Sequence, residues 1–292
     1  MILVTAATGM FGSRTVRQLA ARGAPVRALV HSAEHARGLP GELAVGDMDR
    51  PDTLADPLDG VETVFLISPM DEHIEERETN VLRAALDAGV ERIVKLYGAV
   101  RHRGDPLDRL HVASLDAIKA SGLEWALVSP SSVMETSLLP HAETIREMNA
   151  MFGCAGDGRV GLIAADDVAR AAAVVLTERA EPGRNYELTG PETLTMTEIA
   201  AVLGHVLARE ITYYDMSEDE FRKLLVEQAG MSPEDADIKV ILHLSAWRRG
   251  DADLHTDTVR ELTGQDPMAV AEWVAAHREA FEAPRVPAPA RD

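Results

Sequence analysis

Gly9 and Gly12, in the stretch ILVTAATGMFGS, have the spacing of a loop that holds phosphate. An apolar strand there runs into a glycine turn and then a helix. Backbone N–H groups and the helix dipole of such a turn point at a pyrophosphate. Gly9 would let the backbone approach the phosphates, and Gly12 would let the helix pack close to the strand. Ala6 stands where a glycine commonly makes the first tight turn. Alanine costs little there at negative φ and is strained at positive φ. Glycines also make plain βα turns, but a position after a strand and before a helix favours a dinucleotide.

The second strand ends in RALVHSAEHARG. A fold specific for NAD usually has an acidic residue here for the ribose hydroxyls, whereas a 2′-phosphate needs positive charge. His31 and Ser32 end the strand, His35 and Arg37 follow closely, and Arg14 lies just past Gly12. NADP is therefore the expected cofactor, with NAD the weaker alternative. Arg14 and Arg37 can equally be solvated surface charges. His31 and His35 have no third ligand nearby, so no metal site is expected. No Gly-x-Ser-x-Gly elbow occurs, and Cys154 has no base partner in sequence. Met134, Met148 and Met151 suit an adaptable apolar pocket or ordinary core packing.

The elements that must position this loop follow from the hydrophobic pattern. Ile2–Thr5, Pro25–Val30, Glu42–Gly46, Thr63–Ser68, Arg92–Tyr97 and Trp125–Ser129 read as strands. Helical spacing marks SRTVRQLAARG, NVLRAALDAGV and HVASLDAIKASG between them, each ending near a glycine. The alternation predicts an α/β, Rossmann-type doubly wound parallel sheet. After Pro130 the rhythm changes. Tyr186–Gly190 and Glu210–Asp215 are expected strands among helices, with Ser217 and Ser232 as N-caps and Pro233 at a first helical position. Asp166 and Asp167 are expected to cap a further helix. The expected division is an NAD(P)-binding domain over 1–150, with core strands that later segments can complete. A smaller, mostly helical C-terminal lobe follows over 151–281, and a Pro/Ala-rich disordered tail over 282–292.

The chain has 292 residues, 46% of them apolar, enough for a sizeable core. Its net charge is −19, from 48 acidic and 29 basic residues, which repels phosphate backbones and anionic lipid. Neither nucleic acid nor membrane is an expected partner. One cysteine and no stretch of about 20 apolar residues suggest a cytoplasmic protein. Arg14 and Arg17 interrupt the N-terminal apolar run, which argues against a signal peptide.

The landmarks ILVTAATGMFG, VRALVHSAEHARGL, GDMDRPDTLADPLDGVETVFLISP, GVERIVKLYGAV and ASGLEWALVSPSSVMET occur in this order. They are followed by DDVARAAAVVL, YELTGPETLTMTEIAAVLG and TGQDPMAVAEWVAAHREAF. Together they resemble the NmrA-like proteins, atypical short-chain dehydrogenase/reductase relatives that include quinone-reductase-like and azoreductase-like members. The resemblance covers nearly the whole chain. It implies a substrate cleft between the two lobes. It places Thr8, Gly9, Met10, Phe11 and Gly12 in the phosphate loop, and His31 at the 2′-phosphate position, where Arg is common. It puts Asp47 and Met48 on the adenine side, and Ser68 and Pro69 beneath the nicotinamide ribose. Tyr97 falls at the end of the fifth strand, where relatives often have Ser or Thr beside the nicotinamide.

Ordinary short-chain reductases relay a proton through Tyr-x-x-x-Lys. None of the four tyrosines here has a Lys four residues on, and the matching helix has His111 near the Tyr position and Leu115 near the Lys position. A quinone or azo acceptor can still take hydride from NADPH, because the cofactor supplies the difficult step. Tyr97 and His111 are the candidate proton donors. Each also has a plain structural reading, as a packed ring and a helix-surface histidine. Lys95 is expected to point away from the nicotinamide. The expected activity is NADPH-dependent reduction of a small quinone-like or conjugated carbonyl substrate, by a monomer or a homodimer. The alternatives are a non-catalytic NAD(P)-binding redox sensor acting through a protein partner, and an isomerase or cyclase on the same fold.

Overall fold

The computed structural model describes residues 1–34, 36, 38–100, 106–178 and 181–282. Strands and helices first alternate: β1 (Ile2–Val4), α1 (Met10–Ala21), β2 (Val26–Val30), β3 (Glu42–Val45), α2 (Ala55–Leu58), β4 (Thr63–Leu66), α3 (Ile74–Asp87), β5 (Arg92–Leu96), α4 (Pro106–Ala120) and β6 (Glu124–Pro130). The second half continues with α5 (Met134–Leu138), α6 (Ala142–Met148), β7 (Ala150–Gly153), β8 (Arg159–Val160), α7 (Ala165–Thr177), β9 (Asn185–Leu188), β10 (Leu194–Thr195), α8 (Met196–Leu207), β11 (Thr212–Asp215), α9 (Glu218–Glu227), α10 (Pro233–Ala236), α11 (Leu242–Arg248), α12 (Thr258–Thr263), α13 (Val270–Ala276) and α14 (Arg278–Phe281).

The main sheet has seven strands in the order β3-β2-β1-β4-β5-β6-β9, and every pair is parallel. Strands buried on both faces read as continuous apolar runs, which is why ILV and TVFL carry almost no alternation. The order reverses between β1 and β4, and a ligand of an open α/β sheet binds outside the carboxyl ends at such a point. Thr5 clamps the reversal. Its hydroxyl donates to the Ile67 carbonyl and accepts from the Ile67 N–H, both at 2.7 Å.

Helices cover both faces. α1 and α7 bury Val16, Leu19, Val168, Ala172 and Val175 against one face. Leu54, Leu58, Val81, Leu82 and Ala85 fill the core on the other, where α2 and α3 lie. Val16 and Leu19 are fully buried, and such side chains contribute about 1.5–3 kcal/mol each. A second core gathers Met134, Leu138 and Ile145 with Met151, Leu203, Trp247 and Trp273. Ser217 and Ser232 cap α9 and α10 through their hydroxyls, and Pro233 opens α10. β9 returns from the second half of the chain to pair with β6, so YELTG supplies the seventh strand of the main sheet.

Asp166 and Asp167 do not cap α7. They lie in its first turn, after Ala164 at the N-cap. The Glu135 carboxylate accepts the Ala165 N–H at 3.1 Å and does that work from across the fold. Asp167 is buried, receives the Met268 N–H at 2.6 Å, and pairs with Arg170. Two indole contacts join α11 and α13 to the segment after β6: Trp247 donates to the Ser132 hydroxyl at 3.0 Å, and Trp273 to Glu135 at 3.3 Å.

Candidate functional site

The turn after β1 is built around Ala6. Its φ is +44°, the strained case for a residue with a Cβ. Its carbonyl accepts the Gly9 N–H at 2.9 Å, which closes the turn. A Cβ at Gly9 would lie 3.1 Å from that carbonyl oxygen, and one at Gly12 only 2.3 Å from it. Gly12 is therefore required by close backbone approach, whereas a side chain at Gly9 would need a shift of a few tenths of an ångström. Gly9 is the N-cap of α1 and brings no side-chain cap, so Thr8, Gly9, Met10, Phe11 and Gly12 present a bare helix N-terminus at the carboxyl edge. The first N–H groups of a helix have no partner inside it and suit an anion.

A cleft opens beside this turn. Ala6, Thr8, His31, Asp47, Met48 and Pro69 line it, so residues that follow β1, β2, β3 and β4 meet there. His31 is 74% exposed, and its Nδ1 stands 3.8 Å from the Asp47 carboxylate. Arg14 is committed elsewhere in this arrangement: it donates to Asp166 and to the Met10 carbonyl, both at 3.0 Å. Arg37 lies outside the described residues, as do residues 283–292 of the tail expected over 282–292.

Arg77, on the first turns of α3, also lines the cleft and was not singled out from the sequence. Its guanidinium donates to Asp49 and to both oxygens of Asp71 at 2.7 Å. Burial raises the Asp71 pKa, but the hydrogen bonds from Arg77 and the His73 N–H outweigh it and hold the carboxyl below its ordinary value. Asn80, one turn on, donates to the Met48 carbonyl at 3.0 Å.

Tyr97 follows β5 and is half-buried. Its N–H donates to the Val128 carbonyl at 2.8 Å, which keeps it in the ladder with β6. Ser68 follows β4 and Ser131 follows β6. Both hydroxyls are buried, and neither has a hydrogen-bond partner among the described residues. Buried polar atoms are normally satisfied, so two orphan hydroxyls on the strands flanking Tyr97 fit a polar ligand at this edge. Ser131 also escaped the sequence reading. His111 lies in α4, but its side chain is outside the described atoms. Leu115, in the place of the relay lysine, is buried. Lys95 is fully buried and paired with Glu78.

A larger cavity of about 610 Å³ opens between Arg22, Glu62, Glu91 and Arg92 at the amino ends of the strands. That is the wrong edge for a dinucleotide on a parallel sheet. No group of three or more His, Cys, Asp or Glu that could hold a metal occurs among the described residues. No described helix is long and apolar enough to cross a membrane.

Comparison with known proteins agrees with this geometry. A family model described as NAD(P)H-binding matches residues 6–179. The NAD(P)H azoreductase of Xenophilus azovorans is 32% identical over 288 residues, 97% of this chain and 100% of that protein. The NADPH-dependent quinone oxidoreductase of Escherichia coli, in complex with NADPH, matches with a TM-score of 0.87 and 27% identity, over 95% of this chain and 100% of that one. The triphenylmethane reductase of Citrobacter sp., in complex with NADP(H), matches with a TM-score of 0.84 and 26% identity, over 96% and 100%. This chain therefore belongs to the NAD(P)H-binding family, among the NmrA-like relatives of the short-chain dehydrogenase/reductases to which its motifs point.

Proposed function

We propose that the protein is an NADPH-dependent reductase of a small quinone-like or conjugated carbonyl substrate. The observation that carries this reading is the placing of two kinds of group on one edge of the sheet. A bare helix N-terminus behind Ala6 and Gly12 shares the carboxyl edge of the sheet with three hydroxyl-bearing residues, Ser68, Tyr97 and Ser131, which follow β4, β5 and β6. The relatives named for azo compounds, quinones and triphenylmethane support an extended conjugated acceptor. Two of the matched structures contain NADPH or NADP(H), which supports that cofactor.

The residues present fit the dinucleotide. Gly9 and Gly12 leave a cradle that a Cβ would fill. In this reading the turn from Thr8 to Gly12 holds the pyrophosphate. Asp47 and Met48 take the adenine side, and Ser68 and Pro69 the nicotinamide ribose. His31 takes the 2′-phosphate, with Arg14 able to join only by leaving Asp166, and with Arg37 as a further candidate. When bound, NADPH supplies the hydride. Tyr97 donates a hydrogen bond to the substrate oxygen as charge builds on it, and His111 is the competing donor. The domain over 1–150, completed by α7, β9 and α12, carries the cofactor, and the lobe closes the substrate side. A cytoplasmic location follows from this use of NADPH.

Titration with NADPH and NADH beside a screen of NADPH oxidation against quinones, azo dyes and enones tests the reading. One charge-assisted contact to the 2′-phosphate is worth roughly 1.5–3 kcal/mol, so NADPH should bind at least about tenfold more tightly than NADH. Oxidation should depend on an added acceptor. Leu115 in place of the relay lysine favours one second reading, a redox sensor. Tight NADPH binding with no acceptor reduced would make that the better account.

A further inference from the structure

Three nearly consecutive side chains of α3 grip the framework of the cleft. Arg77 holds Asp49 and Asp71, and Asn80 holds the Met48 carbonyl. Between them Glu78 turns inward and pairs with Lys95 of β5. The two side chains are 1% and 0% exposed, and each is the other's only hydrogen-bond partner among the described residues. Burial pulls the Lys95 ammonium below the ordinary lysine value, against the opposing pull of the Glu78 carboxylate. Replacing a buried ion pair by apolar side chains of similar volume is often neutral or stabilising, so the pair is weak evidence of a purely stabilising role.

Its position does suggest a use. Side chains of β5 alternate between the two faces of the sheet. Ile93 joins the core under α3, whereas Val94 and Leu96 pack on the side of α1 and α7. Lys95 meets Glu78 on the α3 side. Tyr97 stays in the ladder, so alternation puts it on the same face as Lys95 and one step nearer the carboxyl edge of the sheet. The Ala99 N–H, bonded to the Pro130 carbonyl at 2.9 Å, fixes the backbone just beyond.

We propose that Glu78 and Lys95 are a positioning pair for Tyr97. The charge contact is directional. It sets the carboxyl end of β5 against α3, and with it the place of Tyr97 at the carboxyl edge of the sheet. An apolar pair would pack in the same volume without fixing that position. The proposal rests on reading Tyr97 as the proton donor.

The test is the full-length double variant Glu78→Leu/Lys95→Met, which removes both charges and leaves no lone buried one. Glu78→Gln/Lys95→Met replaces it should the first fail to fold. Amide exchange at Tyr97 and Ala99 should accelerate at least about tenfold, while amides of β1 and β6 keep their protection. Quinone turnover should fall at least about tenfold, with NADPH affinity within about threefold of wild type, since a small misplacement far from the chemistry is enough to slow it. Unchanged exchange at Tyr97 and Ala99 overturns the proposal, as does uniform acceleration across the sheet or faster local exchange with wild-type turnover. If the wild type reduces no acceptor, the reductase reading fails separately, and the exchange pattern alone decides the positioning role.

Discussion

A Cβ placed on Gly12 would stand 2.3 Å from the carbonyl oxygen of Ala6 and 2.8 Å from the Cα of Ala7. No side-chain rotation relieves a contact between backbone and Cβ, so the helix itself must move. Gly12→Ala should therefore displace the N-terminus of α1 from the cleft and weaken NADPH binding at least about tenfold, a loss of about 1.4 kcal/mol or more. Titration of the folded variant checks this. Wild-type affinity would mean that the pyrophosphate is held elsewhere.

Ala6 is strained in the same turn, at a φ of +44°. Such a conformation costs an L-residue roughly 1–2 kcal/mol, and glycine escapes that cost but gains about 0.4–1 kcal/mol of unfolded-state entropy. Ala6→Gly should thus stabilise the protein by up to about 1 kcal/mol, read as a higher denaturation midpoint at unchanged slope. A lower midpoint would show that the Ala6 methyl makes contacts worth more than the strain.

His141 supplies a pH dependence. The residue is half-buried, and desolvation of its imidazole pushes it down to about 4, so the folded protein holds it neutral. The unfolded chain takes up a proton near pH 6.5, which means that the unfolded state binds more protons between about pH 6.5 and 4. Stability contributed by the neutral ring is full above that window and is lost as the pH falls through it, by about 1–3 kcal/mol. His141→Gln should flatten this part of the stability profile measured by denaturant unfolding. An unchanged profile would assign the acid sensitivity to other groups.

Much of the sheet was legible because each strand is a short apolar run between helical patterns. The expected strands overrun the observed ones at the carboxyl ends, at Thr5, Gly46, Ser68 and Tyr97. The physical reason is visible in the ladder. Thr5, Gly46 and Tyr97 each still donate one backbone hydrogen bond to a neighbouring strand before the chain turns into the cleft. The expected strand Tyr186–Gly190 was visible, but its place beside β6 was not, because pairing across some sixty residues leaves no local pattern. The phosphate turn was readable from Gly9 and Gly12, whereas the sign of φ at Ala6 depends on the fold around it. Arg77, Glu78 and Asn80 were hidden for a different cause. Polar residues near a helix start ordinarily face water, and only the packing of α3 turns these inward. Ser131 carries no signal beyond its position after a strand.

Tyr97 tests the proton path at the end of β5. Tyr97→Phe keeps the ring and removes the hydroxyl. Turnover should fall roughly ten- to a thousandfold, the range for losing one such donor, while NADPH affinity hardly moves. His111→Ala in the same assay tests the competing donor. If both variants turn over like wild type, the proton comes from water and the chain supplies binding and orientation only.

The central claim is that this chain transfers hydride from NADPH to a quinone-like acceptor, and a single-turnover experiment meets it most directly. Protein loaded with one equivalent of NADPH is mixed with a quinone, and the loss of reduced nicotinamide is followed, with ordinary cofactor and with cofactor deuterated at the transferring position. The account predicts that bound NADPH is stable alone, is consumed when the quinone is added, and is consumed more slowly when deuterated. Bound NADPH that stays reduced in the presence of every quinone, azo dye and enone tried would contradict it.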